Sequence, residues 1–482
     1  MKNKTIINNF FWRLLERFGS QGVSFIVSIV LARLLDPAVY GTVALVTIFT
    51  GIMQVFINSG LGTALIQKKD ADDTDFSTVF YFNLFMCIFL YGVMFCAAPL
   101  IARFYGVPEL TPIVRVLSLT LVISGVRNIQ QSYISKNMLF KRFFFSTLGS
   151  TLVSAVVGIV MAYNGFGVWA LVAQTLASNA IGTVILWLTV KWRPRLLFSF
   201  ERLKTLFSYG WKLLVSSLLN TVYEDLRQLV IGKMYSTADL AFYNKGHQFP
   251  KLVITNVNTS LDSILLPAMA QEQDDKTRVK HMTRRSIRMS TYVIVPIMMG
   301  LAVCAEPFIR LLLTEKWLPA VFFLRIFCFT MAFYPIHTAN LNAIKAMGRS
   351  DLFLKLEIIK KAIGMVTLLG TMWISVEAMA YSLLATTLLS SFINAFPNKK
   401  LLNYSYPEQI MDMIPSVLLS AVMGTVVFCV TFLPINNDFL TLLIQVPLGV
   451  LIYIGGSWLF KMESFTYVLT TIKGFLKRKK HV

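Results

Sequence analysis

The residues best able to do chemistry in this chain are charges and amides set at helical spacing inside apolar stretches. Between positions 208 and 268, Lys212, Ser216, Asn220, Glu224 and Gln228 recur at every fourth residue, with Arg227 extending the row and Asp225 beside it. A second set, Asn244, Gln248, Lys251, Thr255, Asn258 and Asp262, steps by three or four. Such spacing places each set on one face of a helix. A cation in a low-dielectric cavity suits a phosphate or carboxylate, amides suit hydroxyl-rich ligands, and carboxylates at membrane depth suit a coupling proton or metal cation. Lys251, Lys212, Arg227 and, from another segment, Arg127 are therefore candidate anion ligands. Asn58, Asn220, Gln248 and Asn258 are candidate hydroxyl ligands. Glu224, Asp225 and Asp262 are candidate ion-coupling groups, and Arg17 stands at the mouth of the first apolar span.

A magnitude decides which way these rows face. A charge at the centre of a lipid-facing helix costs roughly 2.5–3.5 kcal/mol, so Lys212, Glu224, Asp225, Arg227, Lys251 and Asp262 together would cost roughly 15–20 kcal/mol if all faced lipid at depth. A folded protein has roughly 5–15 kcal/mol of stability in all. The rows are expected to face a water-filled cavity or each other.

The elements that carry them are membrane spans. The chain has 482 residues, is 56% hydrophobic and only 14% charged, with a mean hydropathy of +0.64. That composition predicts an all-α polytopic membrane protein rather than a soluble domain. Apolar stretches of spanning length predict about fourteen transmembrane helices. The formal net charge of +21 does not point to nucleic acid. Most Lys and Arg fall in loops on one side of the membrane, whereas Arg33, Arg103, Arg115, Lys233, Arg310 and Lys316 fall on the other. This bias places both termini in the cytoplasm. Residues 1–18 read as an interfacial amphipathic helix feeding the first span, and no cleavable leader is evident.

The first two spans repeat the polar-striped hairpin of 208–268. Ser20, Ser24 and Ser28 follow Glu16 at every fourth residue, and Thr47, Thr50, Gln54 and Asn58 line the next span. The serine row is read first as close helix packing. Ile57-Asn58-Ser59-Gly60-Leu61 aligns with Val257-Asn258-Thr259-Ser260-Leu261 at an offset of 200, and the turns at 35–38 and 235–238 keep that offset. Six spans separate the copies, so the expected plan is two six-helix bundles, 1–200 and 201–400, related by a pseudo-twofold axis along the membrane normal. Residues 401–482 would add two further helices and a basic tail. The loops Gln67–Asp75 and Gln271–Arg288 are expected to be charged and cytoplasmic. Pro296 is expected to kink its span.

Other chemistries find little support. There is no Walker A motif and no His or Cys spacing for a metal, so no cofactor or metal is expected. Asp73-Thr74-Asp75 matches the D-x-D pattern of metal-dependent glycosyltransferases, but is read as a solvated loop. Cys87, Cys96, Cys304, Cys328 and Cys429 lie in apolar spans and read as packing residues. His337 reads as a hydrogen-bonded structural histidine.

Arg17-Phe18-Gly19-Ser20-Gln21-Gly22, the turn Leu34-Leu35-Asp36-Pro37-Ala38-Val39-Tyr40-Gly41 and Asn58-Ser59-Gly60-Leu61 resemble polysaccharide transporters of the Wzx type, most closely the colanic-acid-type branch. That group belongs to the multidrug/oligosaccharidyl-lipid/polysaccharide exporter superfamily. The resemblance implies a flippase for undecaprenyl-pyrophosphate-linked oligosaccharide in the bacterial inner membrane, working by alternating access. It would have no enzymatic activity and would meet a glycan polymerase and glycosyltransferases. Lys251, Arg127 and Lys212 would then hold the pyrophosphate. The rival readings are a drug or cation antiporter, which would want an acidic lining, and a membrane polymerase or transferase, which would want a large outer loop.

Overall fold

The computed structural model describes residues 2–58, 60–68, 70–467 and 469–470; the side chains of 2–11, 13–18, 58, 209 and 258–264 lie outside that description. The described residues are helical almost throughout. Ten helical stretches are long and apolar enough to cross a membrane, with a shorter apolar run at Gly19–Leu34. The chain divides by contacts into two compact units, Met1–Ala241 and Phe242–Val482.

The first unit contains α1 (Lys2–Leu34), α2 (Pro37–Asn58), α3 (Leu61–Gln67), α4 (Asp73–Tyr105), α5 (Leu110–Leu117), α6 (Leu119–Lys136), α7 (Phe140–Tyr163), α8 (Val168–Thr189) and α9 (Phe200–Met234). The residues expected to form an interfacial helix continue without a break into the first span, as α1. Helices α7 and α8 pack on each other, and α1 packs on α7. Small side chains permit the approach: α7 carries Ser146, Ser150, Ser154, Gly158 and Ala162 at every fourth position, all buried, and the Ser146 hydroxyl donates to the Gly182 carbonyl at 2.8 Å.

Helix α9 runs beside α2. A Cβ on Gly41 would lie 1.7 Å from the Thr237 carbonyl oxygen, and Gly60 and Gly210 meet backbone to backbone. Glycine is required at these crossings because any side chain would part the helices. Both turns of the duplicated design are joints of the same length. One helix ends at Leu34 and the next begins at Pro37; the other pair ends at Met234 and begins at Thr237. The offset of 200 therefore holds at both helix ends.

The Asp73-Thr74-Asp75 sequence corrects its expectation. It is the first turn of α4, not a solvated loop. Asp72 accepts from the Asp75 backbone N–H at 2.9 Å while the Asp75 carboxylate accepts from the Asp72 N–H at 3.2 Å, a reciprocal capping box. Asp75 is fully buried against Lys68 at 2.7 Å, and Arg202, in the first turn of α9, reaches Asp72 at 2.5 Å. That hydrogen bond is the main reason the Asp72 carboxyl titrates near 2. The acids are consumed in tying the start of α4 to the start of α9.

The second unit continues from α10 (Thr237–Gln271) through α11 (Lys276–Val303), α12 (Ala305–Leu313), α13 (Ala320–Ala332), α14 (Tyr334–Ala346), α15 (Ser350–Thr371), α16 (Val376–Leu402), α17 (Tyr406–Cys429) and α18 (Asp438–Leu459). Helix α11 is its hub, packing on α13, α14 and α17, and α18 packs on α17. Most of the charged stretch Gln271–Arg288 is therefore helix, started by the Asp275 side chain, which accepts from the N–H groups of Thr277 and Arg278 at 3.0 Å. Its cations find partners across the bundle: Arg284 and Arg288 both bond Asp412. Helix α11 runs unbroken through Pro296. All five cysteines are free; Cys96 and Cys429 are exposed rather than packed.

Candidate functional site

The first unit holds a polar cleft that none of the long charged rows announced. Helices α1, α2, α7 and α8 enclose a cavity of about 300 Å³, with Ser24 and Ser28 from α1, Thr151 and Ser154 from α7, and Gln174 and Ser178 from α8 on its walls. Ser24 and Ser28 thus line a space instead of only packing. Much of the lining has already spent its hydrogen: Thr151 donates to the Thr147 carbonyl at 2.7 Å, and Ser154 to Thr151 at 3.1 Å. Those hydroxyls keep oxygen lone pairs for a ligand. Gln174 and Ser178 make no side-chain hydrogen bond among the described residues, so an amide and a hydroxyl remain for a polyol. Gly158 makes room for Gln174, whose side chain lies 3.0–3.3 Å from where a Cβ would stand.

Arg127, on α6, stands one helical turn beyond this cleft. Its guanidinium lies 3.6 Å from the position a Cβ on Gly182 would take, with the Ser150 hydroxyl 3.4 Å from the same point. Ser178 to Gly182 is one turn of α8, a rise of about 6 Å. Arg127 is half-buried and has no ion pair or side-chain hydrogen bond among the described residues. Its neighbour Asn128 has a structural task, donating to the Ile57 carbonyl at 2.6 Å. A guanidinium held beside small residues with no carboxylate is suited to a bidentate anion.

The row on α9 is accessible for most of its length. Lys212, Ser216, Asn220 and Glu224 are exposed, while α9 packs on α2, α3 and α4. Asn220 donates to Glu224 at 3.0 Å, and Gln228 to Asp225 at 2.9 Å. Arg227 is buried at 9% exposure and partnered. Glu224 and Asp225 are therefore each bonded to an amide of their own helix, whereas Lys212 projects from it. In the second unit, Lys251 is exposed on α10 with Thr255, and Gln248 is half-buried. Lys251 makes no ion pair or hydrogen bond among the described residues. Lys245, six residues earlier, is buried over the Trp317 ring at 5.7 Å and is not presented to a ligand. The side chains of Arg17, Asn58, Asn258 and Asp262 lie outside the described residues.

His337 is bonded through Nδ1 to the Asn394 amide at 2.9 Å, as expected of a structural histidine. Asn340 donates to Gln409 at 2.7 Å. Arg325 donates to the Ala302 carbonyl at 3.2 Å. No group of three His, Cys, Asp or Glu that could hold a metal occurs among the described residues.

A family described as polysaccharide biosynthesis protein matches residues 30–322, more than half of the chain. The chain belongs to that family. This polysaccharide biosynthesis protein is 25% identical over 314 residues to the succinoglycan biosynthesis transport protein ExoT of Rhizobium meliloti, an alignment covering 65% of the chain and 64% of ExoT. The chain thus spans just under two thirds of that relative's length. It is 21% identical to the lipopolysaccharide biosynthesis protein WzxC of Escherichia coli over 84% of the chain and 85% of WzxC. Its fold is that of the lipid II flippase MurJ in an inward closed conformation, with a TM-score of 0.71 at 15% identity, covering 95% of the chain and 98% of MurJ.

Within this family member, sequence reasoning found the exposed rows on α9 and α10 but missed the cleft on α7 and α8. The signal was present: Ser150 and Ser154 continue to Gly158, and Gln174 and Ser178 continue to Gly182, each at every fourth residue. These side chains are small and uncharged, so they barely lower the hydropathy of the spans that carry them.

Proposed function

We propose that the protein is a flippase that carries undecaprenyl-pyrophosphate-linked oligosaccharide repeat units across the bacterial inner membrane by alternating access. The observation that carries this reading is an arginine with no carboxylate partner among the described residues, one turn from a hydroxyl- and amide-lined cleft inside a membrane bundle. Arg127 takes a phosphate of the pyrophosphate, and Ser24, Ser28, Gln174 and Ser178 take sugar hydroxyls. Lys251 and Lys212 supply further cationic contacts, and Asn58, Asn220, Gln248 and Asn258 further hydroxyl contacts. The polyprenyl chain stays in lipid. Family membership, the transport named for ExoT and the fold shared with MurJ support the reading. Counting the more heavily charged helices α1, α9, α10 and α15 as spans gives the expected fourteen, with both termini cytoplasmic. The halves at 1–200 and 201–400 are the duplicated units, followed by two added helices in 401–482. A glycan polymerase and glycosyltransferases are its working neighbours, and the chain itself is not an enzyme.

Lys251→Ala tests the second cation. An exposed lysine that makes no ion pair or hydrogen bond among the described residues contributes little the fold depends on, so this variant should reach the membrane in normal amount. Repeat-unit export should fall at least tenfold, the equivalent of about 1.4 kcal/mol of lost binding. Normal export by that variant would remove Lys251 from the site.

Ion coupling is assigned to the carboxylates Glu224, Asp225 and Asp262, because charges at membrane depth are retained where they work. Collapsing the proton and sodium gradients in vesicles should then slow transport severalfold, and Glu224→Gln should blunt that response. A rate indifferent to both gradients would exclude coupling. A cation beside the cleft disfavours the cation antiporter, for which an acidic lining would be required.

A further inference from the structure

A second cavity, far from Arg127 in sequence and confined to the second unit, has the form of a lipid site. It is about 680 Å³ and runs along α17, with the exposed side chains of Met411, Ile414, Leu418 and Val422 on one wall. Their spacing of three and four makes them one helix face. From Met411 to Val422 the helix rises about 16 Å, close to half of the roughly 30 Å hydrocarbon core of a bilayer. The apolar part therefore accommodates a chain that spans one leaflet.

The end of the cavity nearest the start of α17 is polar and carries both signs of charge. Arg288 lies there between the buried carboxylate of Asp412 at 2.7 Å and Glu463 at 2.5 Å. Ser416 and Ser464 also line it. The three charged groups differ sharply in freedom. The Asp412 side chain is 2% exposed, that of Arg288 31% and that of Glu463 80%. Asp412 is committed to the interior, where Arg284 and Tyr404 also bond it. Glu463 faces outward and holds only the edge of Arg288. One turn before Arg288, Arg285 lies over the Tyr467 ring at 3.8 Å and is not part of the cavity wall.

We propose that this cavity binds an aminophospholipid, with its phosphate on Arg288, its primary ammonium on Glu463 and one acyl chain along α17. Charge complementarity selects that occupant. A purely anionic headgroup would meet two carboxylates around Arg288. A choline headgroup has no N–H to donate to Glu463. A phosphate joined to a primary ammonium satisfies both sides of the opened Glu463–Arg288 pair with charge-assisted bonds. The basic end of α11 is also where the positive-inside bias puts the cytoplasmic leaflet. The inference requires only that α17 crosses a membrane and does not depend on the flippase reading.

The test uses the full-length protein, delipidated in detergent, with equal amounts of phosphatidylethanolamine, phosphatidylcholine or phosphatidylglycerol of the same acyl composition. Thermal unfolding should occur about 3 °C higher with phosphatidylethanolamine than with phosphatidylcholine, the scale expected when a ligand binds only the folded state. Glu463→Gln, at an exposed position, should fold normally and lose the difference between those two lipids. Leu418→Trp, which fills the apolar groove and leaves the charges intact, should lose the stabilisation altogether. Equal effects of the two lipids on the unsubstituted protein, a preference for phosphatidylglycerol, or a preference that survives Glu463→Gln would overturn the proposal. So would displacement of phosphatidylethanolamine by undecaprenyl phosphate, because the groove would then belong to the transported lipid.

Discussion

Replacing Arg127 with glutamine is expected to reduce transport about a hundredfold while leaving the protein folded. The two halves of that expectation have separate causes. A half-buried guanidinium bears a desolvation cost, and no carboxylate among the described residues offsets it. Among the described residues it makes no hydrogen bond, so its loss strands no partner. Thermal stability should therefore stay the same or rise slightly. Transport should suffer because hydrogen bonds to charged groups contribute about 1.5–3 kcal/mol, and 2.7 kcal/mol is a factor of about one hundred. Arg127→Lys should recover only part of the rate, since an ammonium keeps the charge but loses the two-pronged geometry that matches a phosphate. Flipping of lipid-linked oligosaccharide by reconstituted protein, with unfolding temperature measured on the same preparation, decides the matter. Normal transport by Arg127→Gln would take the anion site away from this cleft. A large loss of stability would show that Arg127 holds the bundle together.

The legible part of this molecule was the part written as contrast. Lys212, Asn220 and Glu224 stand out because each interrupts an apolar helix, and a row four residues apart can only be a face. The structure does place those three side chains at the surface of α9. The turn at 35–38 and its copy at 235–238 were equally legible, because a short break between two long apolar runs has few other meanings. What sequence periodicity does not carry is the partner. Arg284, Arg288 and Asp412 read separately as charges near helix ends, and nothing local says that residues 124 to 128 apart in sequence meet. Asp75 was misread for the same reason. A carboxylate in a charged loop is ordinarily solvated, and only the capping of α4 and the approach of Lys68 and Arg202 make it an interior group. The cleft of the first unit escaped on a different ground. Its walls are serine, threonine and glutamine, residues that serve helix packing and ligand binding alike, and only the space left between α1, α7 and α8 separates the two uses.

Asp412→Asn should be the most destabilising single change outside the apolar interior, by about 3 kcal/mol. The Asp412 carboxylate is 2% exposed and gathers three donors. Arg284 approaches at 2.8 Å, Arg288 at 2.7 Å, and the Tyr404 hydroxyl at 2.6 Å. These join α17 to α11, the helix on which the second unit is built. Asparagine preserves the size but removes the charge, and it turns an N–H toward a site where both guanidinium groups can only donate. Breaking a buried ion pair from one side costs roughly 3–5 kcal/mol, because the remaining charge is left uncompensated. The lower end applies because the side chains of Arg284 and Arg288 are 42% and 31% exposed and can turn toward water. Glu272→Gln is the natural contrast. Glu272 meets Arg278 at 2.8 Å, as short a contact, but Arg278 is 64% exposed and Glu272 37%. Exposed pairs contribute about 0–1 kcal/mol, so this second variant should unfold with the unsubstituted protein. Thermal unfolding of the three proteins in one detergent tests the ordering. Equal stability of Asp412→Asn and Glu272→Gln would mean that burial of the carboxylate, rather than its distance from arginine, has been given too much weight.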